Sequence, residues 1–235
     1  FRNPKPAAAL YASQCDGAPV LEVASSMDIG DYPAGRIGRV AVFSNADEVK
    51  LYKNDVFVTR LHHGDCTALP HPPMVLDDTI GQLLETQEGF PKRKAGRLRT
   101  CLLAAGKYGL AAMPLRYKAA LGFCMVRYGM TLADGVALYN QYVGNWGGEA
   151  TRWRFDAVRN GEVVASTTCS PSAKLRLEVT PASDTLTEGD SYDMTAVRVR
   201  ILDENGTPAS YAQLPVRFTL EGEAALVGPA VVTAE

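Results

Sequence analysis

No run of eighteen consecutive apolar residues occurs anywhere in the 235-residue chain, so nothing in it is long enough to cross a bilayer as an apolar helix. Aromatic residues are few, at 8%. A glycine-rich phosphate loop, a nucleophile elbow and a paired-carboxylate motif are all missing from the sequence, which leaves the common nucleotide-hydrolysing and serine-hydrolase routes without their parts. Cysteine is scarce, odd in number and widely spaced: Cys15, Cys66, Cys101, Cys124 and Cys169. That pattern reads as reduced thiols in a reducing compartment, which favours the cytoplasm, rather than as a disulfide framework. The chain opens Phe1-Arg2-Asn3-Pro4-Lys5, with neither an initiator Met nor a charged and then apolar leader, so it reads as a piece of a longer polypeptide with no targeting segment of its own.

Acid is missing from one long stretch. Between Gly89 and Ala133 there is no Asp or Glu, yet the stretch carries Lys92, Arg93, Lys94, Arg97, Arg99, Lys107, Arg116, Lys118 and Arg127. The whole chain holds 24 bases against 26 acids, a net charge of -2, and that balance argues against a broad cationic nucleic-acid binder. Outside the basic stretch fifteen bases face all 26 acids, leaving the remainder at about -11. The two parts are complementary in sign, and a solvated face or an acidic neighbour is the economical partner for the basic one.

What is present reads as strands, then helices, then strands. Pro19 to Ala24, Arg39 to Ser44, the alternation around Val49 and Leu51, and that around Val56 and Val58 give four strands. Asn45-Ala46-Asp47 and Asn54-Asp55 supply tight antiparallel connections. After Pro70-His71-Pro72-Pro73 the period changes. Asp77-Asp78 opens a helix to about Glu88; Leu98, Cys101, Leu102 and Ala105 recur on one face of a second. Pro114 opens a third with Tyr117, Leu121, Cys124 and Tyr128 on one side, and Thr131 caps a fourth through Val136, Tyr139 and Val143. Strands resume with Trp153, Phe155 and Ala157, a hairpin turn at Asn160-Gly161, and Val163-Val164. Leu175, Leu177 and Val179, then Val197, Val199 and Ile201, then Val216, Phe218 and Leu220 continue the alternation.

The order of motifs resembles a known family. Arg2-Asn3-Pro4-Lys5-Pro6-Ala7, Tyr11-Ala12-Ser13-Gln14, Pro19-Val20-Leu21 and the run from Val42 through Ser44-Asn45-Ala46-Asp47-Glu48-Val49-Lys50-Leu51-Tyr52-Lys53-Asn54 are similar to the region just after the catalytic barrel in glycoside hydrolase family 2, the β-galactosidase and β-glucuronidase family. Trp153-Arg154-Phe155 through Val164 resembles later strands of the same immunoglobulin-like domain. Residues 172–235, with Leu186-Thr187-Glu188-Gly189-Asp190 and Leu202-Asp203-Glu204-Asn205-Gly206, are similar to bacterial immunoglobulin-like modules.

The resemblance implies a mainly β chain: an immunoglobulin-like β-sandwich over residues 1–171, interrupted at about 70–144 by a small helical bundle, then a second, incomplete immunoglobulin-like sandwich of about five strands over 172–235. Strands before residue 60 must then pair with strands after residue 150. Where the family usually places Gly after Asn in its hairpin this chain has Asn54-Asp55, so a turn wider than two residues is expected there. The implied function is that of a non-catalytic C-terminal portion of the enzyme, packing on the barrel of the parent polypeptide and shaping the substrate rim or an oligomer interface. The family's catalytic glutamates lie on barrel strands, and retaining hydrolysis needs two carboxylates about 5 Å apart, so no catalytic residue is expected in this chain. An independent carbohydrate- or surface-binding module is the alternative.

Candidate chemistry is thin. His62, His63, Cys66 and His71 crowd ten residues, but adjacent strand histidines face opposite sides and the spacing fits no standard zinc site, so no metal and no cofactor is expected. Gly144-Asn145-Trp146-Gly147-Gly148-Glu149 is the one loop with a sugar-binding look, Trp146 to stack on a ring and Glu149 to take its hydroxyls. The plain alternative is that Trp146 plugs the junction where helices rejoin the sheet. Asn205-Gly206-Thr207 matches a glycosylation sequon but reads as turn chemistry. Acids such as Asp156, Glu178 and Glu221 are expected on solvated strand faces.

Overall fold

A computed structural model of the chain describes residues 5–28, 35–144, 151–170, 174–206, 208–209 and 212–233. It divides into two units, Phe1–Pro171 and Ser172–Glu235. In the first, helix α1 (Pro6–Ala12) precedes strands β1 (Leu21–Val23), β2 (Val40–Ser44), β3 (Glu48–Lys53), β4 (Val56–Leu61) and β5 (Met74–Leu76). Helices α2 (Leu83–Thr86), α3 (Lys92–Ala112), α4 (Leu115–Tyr128) and α5 (Leu132–Tyr139) follow, with a π-helical turn at Asn140–Gly144, before strands β6 (Trp153–Arg159) and β7 (Glu162–Cys169). The second unit holds β8 (Leu175–Pro181), β9 (Val197–Asp203), β10 (Pro215–Arg217) and β11 (Val231–Thr233).

Two antiparallel sheets organise the first unit, one ordered β1-β2-β5 and the other β4-β3-β6-β7. Strand β3 lies beside β6 with Val49 opposite Ala157, Leu51 opposite Phe155 and Lys53 opposite Trp153. This is the pairing across the helical segment that the two half-domains require. Val49, Leu51, Phe155, Ala157 and Trp153 share one buried cluster with Val42, Met74 and Leu76 of the other sheet and with Leu98 and Leu102 of α3. Each large side chain in that cluster contributes roughly 1.5–3 kcal/mol by leaving water.

Several local expectations need correction. Asn45-Ala46-Asp47 does not close a hairpin, because β2 and β3 belong to different sheets. Asn45 instead anchors the crossing: its Nδ2 donates to the carbonyls of Cys15 (2.8 Å) and Ala18 (3.0 Å), and its Oδ1 accepts from the Val20 amide. The hairpin lies one strand later. There Lys53 pairs with Val56 around a two-residue turn, not a wider one, and Asn54 and Asp55 both hold positive φ, 48° and 63°. Asp55 bears that strained backbone with its carboxylate on Arg152 and, at 2.6 Å, on Arg154, so a glycine is not required. Asn160-Gly161 turns β6 into β7 as its type predicts, with φ of 53° and 85°.

The helix expected from Asp77 shrinks to the four residues of α2. Asp78 Oδ1 accepts from the amides of Ile80 and Gly81, and that Asx turn competes with the helix. Gly81 then takes φ +47° with its backbone against Val58. Met74–Leu76, inside the range read as helical, pairs instead with β2. Helix α3 buries Leu98, Cys101, Leu102 and Ala105 as the spacing predicts, α4 ends on Gly129 in the left-handed conformation, and Thr131 caps α5 in a reciprocal box with Asp134. Helices hold about as many residues as strands, so the chain is a mixed α and β structure rather than a mainly β one.

In the second unit β8 pairs with β9 and β10 with β11 as two separate ladders. Four strands stand among the described residues where about five were expected. The alternating face Leu175, Leu177 and Val179 is exposed, and the apolar centre is small: Ile201, Ala209 and Ala212 with Val216 packed against them.

Gly81 gives the sharpest test of this packing. A Cβ there would lie 1.8 Å from the Val58 carbonyl oxygen, a backbone atom that cannot swing aside. Gly81→Ala should lose more than about 3 kcal/mol in urea unfolding. Gly122→Ala, on α4 with nothing within 4 Å, should gain about 0.5–1 kcal/mol.

Candidate functional site

Trp146 and Glu149 lie outside the described residues, but the chain on both sides of their loop is described. Tyr142 and Val143 enter from the π-helical turn, and Thr151 to Trp153 leave into β6. What meets there is a charged group in an apolar setting. Lys53, at the end of β3, is buried; its Nζ donates to the Gln141 carbonyl at 2.7 Å. The ammonium sits 5.5 Å from the Tyr142 ring centroid and 5.3 Å from that of Trp153, a distance at which ring faces attract a cation. Burial pulls the Lys53 pKa down to about 8. Tyr142 is fully buried and its hydroxyl donates to Glu88 at 2.5 Å; burial first, and then the Glu88 bond, push that phenol upward. The Trp153 indole N–H finds no acceptor among the described residues.

The other candidates separate cleanly. His63 has a backbone carbonyl at each ring nitrogen, Pro72 O at 2.7 Å from Nδ1 and Ala46 O at 2.8 Å from Nε2, so both ring nitrogens face backbone oxygen rather than open space. His71 Nε2 meets Asp16 Oδ1 at 2.8 Å, and His62 and Cys66 are exposed. Among the described residues no three His, Cys, Asp or Glu side chains converge on a metal position. Cys101, Cys124 and Cys169 are buried, whereas Cys15 and Cys66 are exposed. Burial pushes the Cys101 thiol up to about 11 and raises Cys124, which makes both poor nucleophiles. Asp156 is not solvated as expected: it is buried, accepting from Ser166 at 2.6 Å and from Arg154 at 3.2 Å.

One concave site was not visible in the sequence. The segment Arg36–Arg39, the loop Asp77–Thr79 and the outer face of α3 enclose a polar cleft of about 940 Å³. Asp78 is committed within it, ion-paired to Arg99 at 2.5 Å. Tyr108 and Tyr117 stack at its end with centroids 6.2 Å apart. An apolar cavity of about 250 Å³ lies on the opposite side of α3, lined by Leu98, Cys101, Leu102, Leu121, Cys124 and Val136 among others. No single window of sequence contains either lining, so neither carried a local signal.

No family model matches the chain. Along its whole length it is 28% identical, over 240 residues, to a β-galactosidase of Thermoanaerobacter pseudethanolicus. The chain resembles part of a family 2 glycoside hydrolase. It spans 24% of that curated relative's length. Among solved structures it is similar to a β-glycosidase from Bacteroides vulgatus, covering 93% of this chain and 19% of that one at 14% identity and a TM-score of 0.49. A glycosyl hydrolase family 2 member from Bacteroides cellulosilyticus gives 94% and 23% coverage, 12% identity and a TM-score of 0.49.

Lys53 makes that junction pH-sensitive in a defined direction. Its folded pKa of about 8 lies below the ordinary 10.5, so between these values the unfolded chain binds more protons and stability rises with pH. The destabilisation is fully present below pH 8. Cys101, held near 11 against an ordinary 9.0, acts in the opposite sense above pH 9, so the comparison must be with a variant. The unfolding free energy of the native chain minus that of Lys53→Met should climb from pH 8 to 10 by roughly 2–3 kcal/mol. A flat difference across that range would show that Lys53 titrates as a solvated amine.

Proposed function

We propose that this chain is a non-catalytic, C-terminal portion of a family 2 glycoside hydrolase, in which two immunoglobulin-like sandwiches, the first carrying a helical insertion, pack on the catalytic barrel of the parent polypeptide. The observation that carries this reading is the match of the entire chain to only 24% of a β-galactosidase. The carboxylates support it. Asp55, Asp78, Asp156 and Glu178 sit on arginines, which suits positioning rather than the proton donor and nucleophile of a retaining glycosidase.

Helix α4 offers the surface such packing needs. Leu115, Phe123 and Val126 fall on one stripe of the helix at helical spacing and are exposed, Leu115 by 80% and Val126 by 88%. A continuous apolar stripe in water is an interaction surface. The parent barrel is its partner in this reading, with a homo-oligomer contact as the other possible use of the same face.

The chain by itself should hydrolyse no nitrophenyl β-galactoside or β-glucuronide above the buffer rate, because the two carboxylates of the reaction lie elsewhere in the parent. Deleting the chain from the parent enzyme should abolish turnover. Val126→Asp in the parent, which puts a charge in the stripe, should lower its thermal midpoint by several degrees, roughly the equivalent of 1–3 kcal/mol. Turnover by the isolated chain, or a parent that keeps full activity after the deletion, would remove this reading.

A further inference from the structure

The polar cleft beside α3 has an uneven charge balance. Asp78 is charge-paired: Oδ1 takes the amides of Ile80 and Gly81, and Oδ2 is ion-paired to Arg99. Among the described lining residues, what faces a ligand is Arg36, Arg39 and Lys107, the last lying 5.3 Å from the Tyr108 ring centroid, against the one remaining carboxylate, Asp77, and neither arginine makes an ion pair with another described residue. Counted over its described lining residues, the cleft therefore presents an excess of two positive charges. Its volume of about 940 Å³ lies at the upper end of the range small-molecule sites occupy, roughly 300–1,000 Å³. It is concave, which a docking face for a folded protein does not need to be.

The lining narrows the ligand further. The stacked Tyr108–Tyr117 pair, its planes 27° apart, makes one wall aromatic. Asp77, which would repel a polyphosphate, is suited to accepting hydrogen bonds from hydroxyls. Arginine forks match planar oxyanions. A molecule with one acid group, many hydroxyls and an apolar ring face satisfies all three walls together. We propose that this cleft binds an acidic saccharide, a sugar bearing a carboxylate or a sulfate, with Arg36, Arg39 and Lys107 on the acid group, Asp77 on hydroxyls and the tyrosine pair beside a ring. The proposal rests on the carbohydrate reading above in naming a sugar.

Isothermal titration of the 235-residue chain with four probes tests it: trigalacturonate, a sulfated galactose trisaccharide, the neutral galactose trisaccharide and sodium sulfate. At least one acidic trisaccharide should bind about tenfold or more tighter than both the neutral trisaccharide and sulfate alone, and the tighter of the two names the acid group. Arg39→Ala should weaken that binding about fivefold or more. Asp77→Asn keeps an oxygen to accept from the hydroxyls but removes the carboxylate charge that opposes the ligand's acid group, so it should tighten binding about twofold or more; this opposite sign separates recognition from a loss of folding. Equal affinity for acidic and neutral trisaccharides, no binding of either acid, sulfate binding as tightly as the sugars, or indifference to both substitutions would overturn the proposal. The titration is read on this chain alone and the deletion on the parent enzyme, so either result can fail while the other stands.

Discussion

Strand β3 lying against β6 is the contact on which the first unit depends. Between the end of β4 at Leu61 and the start of β6 at Trp153 the chain leaves the β-structure almost entirely, and closing a loop of that length costs ~4 kcal/mol in chain entropy. The register that closes it buries Val49, Leu51, Phe155, Ala157 and Trp153 together, which returns ~10 kcal/mol at 1.5–3 kcal/mol for each large side chain. Burial therefore outweighs closure with room to spare. Polar groups then fix the register rather than supply the energy. Asn54 Oδ1 accepts from the Arg152 amide at 2.8 Å, and Asp55 grips Arg152 and Arg154; a slip of one residue would break all of these and turn Trp153 outward.

The same junction receives the helical segment on its return. Tyr142 and Gln141 reach Glu88 from the π-helical turn, and Val143 packs on Gly106, where an added Cβ would lie 3.0 Å from its Cγ1. Lys53 is thus surrounded by elements that are far apart in sequence: β3, the π-helical turn and β6. Its ammonium is withdrawn from water to face a carbonyl and two aromatic rings, and burial lowers its pKa.

What could be read from the sequence was whatever a short window decides. The alternation at Trp153, Phe155 and Ala157, the stripe Leu98, Cys101, Leu102 and Ala105, the Thr131 cap and the Asn160-Gly161 turn each rest on neighbours within a few residues, and each is found in place. The misreadings share a cause of the opposite kind. Asn45-Ala46-Asp47 has the composition of a hairpin turn, but three hydrogen bonds to residues 15, 18 and 20 hold it as a crossing between sheets. Asn54-Asp55 stays a two-residue turn because arginines a hundred positions away hold Asp55. Asp77-Asp78 looks like the start of a helix until Asp78 is committed to Arg99 and to the turn at Gly81. Lys53 carried no signal at all, since an exposed strand lysine and a buried one are written alike.

Charge makes the same point about function. Nine bases with no acid among them describe a basic segment, yet the six of them on helix α3 do not form one face. Its apolar stripe turns toward the core and the small cavity lined by Cys101 and Cys124. The opposite side carries Arg99 and Lys107 into the polar cleft. There Arg99 is cancelled by Asp78, an acid from outside the basic segment, while Arg36 and Arg39, also from outside it, add charge where the segment has lost it. The charge balance of the cleft, over its described residues, therefore comes from three stretches of chain brought together by the fold, two that supply bases and one that supplies acids, and the count of bases in any one of them is a poor guide to where an anion would be held.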